Sequence, residues 1–112
     1  MGEKRTIEIR IPKQIKIGAH SYKVSFNYHL KGMGEADAAT QHEWQKVFIA
    51  PELPPSQRTV SLLHEVLHII NKIYRCGITE ENIDRLSEGL AEFLIDNLQI
   101  EFDWANIKKG EE

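Results

Sequence analysis

The chain has 112 residues, 41% of them hydrophobic and 28% charged, a balance ordinary for a single soluble domain over residues 1–112. A formal charge of -3 and a pI near 6.0 leave no basic footprint, so nucleic acid is not expected as a partner. No apolar run approaches the length of a membrane span, which argues against a membrane partner.

The first half reads as β. Residues 6–11 alternate polar and apolar, the signature of a half-buried strand, and Pro12 closes it. Residues 15–17 and 22–26 read as a hairpin joined through Gly18 to Ser21. Residues 31–40, rich in small side chains, read as a loop or irregular crossing. Lys46 to Ala50 reads as one more strand, ended by Pro51, so the sheet occupies about residues 5–50.

The second half reads as helical, with helices over about 56–75 and 79–99. Pro54-Pro55-Ser56 offers a start, with Ser56 as cap or a proline in the first turn. Val60, Leu63, Leu67, Ile70 and Tyr74 recur at helical spacing, and Leu62, Val66, Ile69 and Ile73 widen that arc. Gly77 suits a helix C-terminus, and Thr79 suits a second N-cap, followed by Glu80 and Glu81 where the helix dipole favours acids. Ile83, Leu86, Leu90, Phe93, Leu94 and Leu98 are the expected core face of that helix. The tail from Ile100 carries Phe102 and Trp104, apolar enough to pack back on the domain. Cys76, the single cysteine, excludes an internal disulfide and reads as a packing residue. With no signal-peptide pattern, it predicts a reducing, cytoplasmic setting. The loose myristoylation pattern at residues 1–6 has no second membrane signal beside it and is read as coincidence.

The run His64-Glu65-Val66-Leu67-His68 carries the chemistry. Residues four apart share a helix face, so His64 and His68 can offer two imidazoles to one metal ion. Glu65, beside the first of them, can act as general base on water. The helical wheel sets Ser61, His64, Glu65 and His68 on an arc opposite the apolar one. A catalytic zinc needs a third protein ligand, and the acids of the second helix are the candidates: Asp84, Glu88, Glu92 and Asp96. If the helices form a tight antiparallel hairpin, a residue about seven before the turn faces one about eight or nine after it. That pairing favours Glu88 opposite His68. It leaves Glu92 nearer His64, where it could orient a histidine, Asp84 opposite Lys72, and Asp96 as a solvated charge.

The block from His64 to Phe93 resembles the gluzincin metallopeptidases, which pair His-Glu-x-x-His with a downstream glutamate. Ser87-Glu88-Gly89-Leu90-Ala91-Glu92-Phe93 looks like their glutamate helix, with Glu88 lying 20 residues beyond His68. The resemblance implies His64, His68 and Glu88 as zinc ligands, Glu65 as catalytic acid-base, and an edge strand, here Lys46 to Ala50, that binds substrate backbone. Over residues 15 to 99 the chain is similar to the small ImmA/IrrE-like metallopeptidases of phages and mobile elements. The similarity rests on Gly34-Glu35-Ala36-Asp37, Val47-Phe48-Ile49, Leu62-Leu63 with the histidine run, and Asp84-Arg85-Leu86. That alignment implies Asp84 as third ligand. Large gluzincins add a Tyr or His that stabilises the oxyanion on a segment this chain lacks; Tyr28, His29, His42 and Tyr74 are the stand-ins available.

The expected protein is thus α+β: a small twisted N-terminal sheet packed on an active-site helix and a C-terminal glutamate helix, a minimal zincin-like domain. Its expected activity is hydrolysis of a peptide or protein substrate with Zn2+ as cofactor. The alternative is a non-catalytic zinc-containing interaction module.

Overall fold

The computed structural model describes residues 6–27 and 37–108. Tyr28, His29 and the segment 31–36, with Gly34, Glu35 and Ala36 in it, lie outside the described residues. Four strands form the main sheet: β2 (Gln14–Ile17), β3 (His20–Phe26), β4 (Ala38–Gln41) and β5 (Lys46–Ile49), in the order β2-β3-β5-β4. The β2-β3 hairpin closes through Gly18 and Ala19, with Ile17 paired to His20. Gly18 has φ +62, which a two-residue hairpin loop asks of its first central residue. A Cβ there would stand 3.3 Å from Ile73 Cγ2, so the same glycine lets the hairpin approach the helix.

Two sequence expectations change here. Ala38–Gln41 lies in the segment read as irregular, yet it pairs antiparallel with β5 as a strand. Alanine-rich segments carry little β signal of their own, and the ladder with β5 supplies what propensity does not. Lys46–Ile49, expected at an edge, is interior: β3 pairs with it in parallel on one side and β4 on the other. Val47, Phe48 and Ile49 are accordingly all buried. Among the described residues the edge beside the helices is β4.

The first strand also leaves the main sheet. β1 (Ile7–Arg10) pairs in parallel with β6 (Ile100–Asp103), forming a separate two-stranded ribbon that joins the two chain ends. From β6 the chain delivers Trp104 and Ile107 into the same core as Ile11, Val24, Phe26, Val47, Ile49, Leu62 and Ile69. The aromatic tail thus packs back as expected, with Trp104 stacked on Phe26.

Helix α1 (Pro55–Tyr74) starts on a proline at its first position, with Pro54 before it and no side-chain cap. No glycine or proline interrupts it. It ends one residue later, at Arg75 in the left-handed conformation, earlier than Gly77 suggested. Its buried apolar residues are Leu62 and Ile69, beside buried Thr59, Ser61 and Glu65, so the apolar stripe is the Leu62-Val66-Ile69-Ile73 side of the broad arc. Full burial of Ile69 alone contributes about 1.5–3 kcal/mol. Tyr74, expected in the core, is exposed.

Helix α2 (Glu80–Glu92) is capped as its sequence foretells, Thr79 Oγ1 accepting from the Asn82 N–H. A π-helical segment (Phe93–Asn97) extends it, ending before Gln99 at φ 55. The buried residues of α2 are Ile83, Ser87 and Ala91, whereas Leu86, Leu90, Phe93 and Leu98 are exposed. Of the expected core face, Ile83 is buried and Leu94 half-buried, while the other four point away, and Ser87 and Ala91 complete the packed side. The architecture is α+β, and no described helix is long and apolar enough to cross a membrane.

Candidate metal centre

His64 and His68 project from successive turns of α1 with their Nε2 atoms 3.0 Å apart. One carboxylate straddles them: Glu80 Oε1 lies 2.8 Å from His64 Nε2, and Oε2 lies 2.8 Å from His68 Nε2. On the far side of the first ring, Asp84 Oδ1 stands 2.9 Å from His64 Nδ1. His64 therefore meets a carboxylate at both ring nitrogens. A neutral imidazole has one N–H and one lone pair, so it can donate to only one of the two. If Nδ1–H donates to Asp84, Nε2 turns a lone pair toward Glu80 and His68, an arrangement that could hold a metal ion.

The donor set suits zinc. Two imidazoles and a carboxylate are an ordinary zinc shell, and an Asp behind the ring is the partner that fixes a ligating histidine's tautomer. At bond lengths of about 2.0–2.1 Å, tetrahedral ligand atoms are spaced by about 3.3 Å. The separations of 2.8–3.0 Å among the three side chains need only a small opening to reach it. The histidine side chains remain 21% and 30% exposed, which leaves room for a further ligand.

Glu65 sits one residue from His64 yet is 7% exposed, more buried than the helical wheel suggested. The buried stripe of α1 runs through Leu62 and Ile69, which rotates Glu65 toward β4. There its Oε1 accepts a hydrogen bond from Thr40 Oγ1 at 2.5 Å. Glu65 still lines a cleft of about 400 Å³, together with Ala38, Ser61, His64, Asp84 and Glu88.

Glu88 is on the wall of that cleft, but the carboxylate that reaches both imidazoles is that of Glu80. Glu88 and Glu92 stand beside Val60 and Ser56, toward the start of α1, and Asp96 lies further along the same groove. The register has a local cause. Asn71 Nδ2 donates to the Ile78 carbonyl (3.0 Å), and the Ile78 N–H donates back to Asn71 Oδ1 (2.9 Å). The connection therefore doubles back along α1 before α2 begins, and the first turn of α2 lands beside His68. Hairpin counting treats the connection as a cap with no travel along the axis, so it set the acids about two turns out of step. Asn71 was the residue to notice: a side chain with both a donor and an acceptor, one turn before a helix end.

His42, in the β4-β5 turn, lies near the same helix. Burial first, then the charges of Lys72 and His68, hold its pKa below the usual histidine value. Burial raises that of Tyr22. The Tyr22 hydroxyl and His42 Nδ1 share a hydrogen bond of 3.0 Å, with the rings edge to face. No family model, curated protein or solved structure matches the chain.

Proposed function

We propose that the protein is a zinc-dependent peptidase of minimal zincin-like design, with His64, His68 and Glu80 holding the ion. The observation that carries the reading is His64 bracketed by two carboxylates, with Glu80 shared between both imidazoles. Bound there, zinc would supply Lewis-acid polarisation of a peptide carbonyl and acidify water. The chain's own groups do the rest. Asp84 fixes the His64 ring through Nδ1. Thr40 occupies Glu65 Oε1, which leaves Oε2 to take a proton from water and pass it to the leaving amine. The cleft between β4 and the two helices receives the peptide, and β4 rather than β5 offers it an edge.

Metal analysis of the purified protein tests the first part: one zinc per chain, lost in His64→Ala. Glu65→Gln tests the second, since it should keep the zinc and abolish cleavage across a broad peptide panel. A zinc-loaded wild type with no Glu65-dependent cleavage would sink the peptidase reading. It would favour a non-catalytic zinc-containing interaction module, for which the exposed row of Leu86 and Leu90 on α2 and Phe93 just after it is the supporting observation.

A further inference from the structure

A second depression, of about 430 Å³, lies at the C-terminal end of α1, on the opposite side of His68 from the cleft. Its polar lining is His20, Tyr22, His42, Gln45, Lys72 and Arg75, with no carboxylate among them. Lys72 and Arg75 are cationic at neutral pH, and both imidazoles can donate. The carbonyl end of a helix opposes an anion with roughly half a charge, less than the two full charges set against it. The rings are held in place: Tyr22 bonds His42, and Gln45 Nε2 lies 3.0 Å from His20 Nδ1. Gln45 itself adopts φ 52, an uncommon conformation for a residue with a side chain.

The distance from this pocket to the metal group is set by the two elements that join them. Lys72 follows His68 by one turn of α1, about 6 Å, and Arg75 lies about 4.5 Å further on. Where β4 ends, His42 follows Thr40, the partner of Glu65, by two residues. An extended peptide crossing the cleft would cover that interval with two or three residues.

We propose that this pocket binds the terminal carboxylate of a peptide, with Lys72 and Arg75 as counter-charges and His42 as a hydrogen-bond donor. The carboxylate site stands on its own lining. Its consequence, removal of a two- or three-residue fragment from the carboxyl end of a substrate, rests on the peptidase reading above.

The test is a titration of the metal-free full chain with trialanine, following the His20 and His42 ring signals by NMR. Three comparisons accompany it: trialanine amide, an amidated tripeptide with a central glutamate, and the Lys72→Gln/Arg75→Gln variant, whose changes fall on exposed side chains. Saturable shifts with the free acid are expected, with binding about tenfold weaker for the plain amide and for the variant. His64→Ala should bind trialanine as the wild type does, which separates this site from the metal group and from any failure of catalysis. Equal binding of trialanine and its amide, or undiminished binding by the double variant, overturns the proposal. If the amidated glutamate peptide binds as tightly as the free acid, the pocket reads a side chain and the terminal-carboxylate assignment fails.

Discussion

Asn71 grips Ile78 by both of its backbone groups, and this pair of hydrogen bonds sets the register of α2 on α1. Every acid of α2 takes its level from that clamp. Asn71→Ala leaves the N–H and carbonyl of Ile78 without their partner, a loss of about 1–3 kcal/mol. It should also weaken zinc binding, because Glu80 loses the anchor that brings it to His68. Asn71→Asp keeps the acceptor and loses the donor, so it should fall between the two. Urea unfolding of the metal-free proteins gives the first effect and zinc titration the second. An alanine variant with unchanged zinc affinity would separate the clamp from the site.

The three acids spaced four apart on α2 should differ sharply in their effect on zinc. Glu80→Gln removes the carboxylate that meets both imidazoles and should have the largest effect. Asp84→Asn removes an orienting partner of His64, a change that costs about 10–100-fold in affinity at comparable sites. Glu88→Gln should stay near wild type. Competition with a chromogenic chelator ranks them, and a larger loss for Glu88 than for Glu80 would restore the ligand set implied by the gluzincin resemblance.

What could be read from the sequence divides along a physical line. Features fixed by neighbours along the chain were legible: the paired histidines one turn apart, the Thr79 cap and the Gly18 hairpin all follow from local geometry. Features fixed across the chain were not. Residues 38–41 become a strand because β5 offers them a ladder, and β1 finds its partner 93 residues away at β6. Leucines at helical spacing define a face of α2, but spacing alone does not say which face is packed. Here Ser87 and Ala91 take the packed side and Leu86 and Leu90 remain outside. The third acid of the site depended on a side chain in a different helix.

Thr40 connects the sheet to the proposed chemistry through its hydrogen bond to Glu65. Thr40→Val keeps the shape and deletes the donor, leaving a buried carboxylate oxygen unpaired. Stability should fall by about 1–3 kcal/mol. If Glu65 moves the proton, kcat should drop while KM holds, because the substitution disturbs a group that acts on the reacting atoms and not on ground-state binding. Thr40→Ser retains the hydroxyl and should recover most of both. A valine variant with unaltered kcat and lowered stability would assign Thr40 a purely structural role.

His42 gives the protein a pH dependence whose sign follows from its surroundings. Burial, then the positive charges of Lys72 and His68, depress its folded pKa below the ordinary value of 6.5. The unfolded chain therefore binds the proton more readily than the folded one. The stability contributed by neutral His42 is fully present above about pH 6.5, and it is lost as the pH falls through the lower folded value. In His42→Gln this component is absent. Urea midpoints measured with chelator present, between about pH 7.5 and pH 5, should fall more steeply for the wild type than for the variant. Parallel curves would mean that His42 takes up its proton equally well in both states. A steeper fall for the variant would reverse the sign and require an acidic partner for the ring.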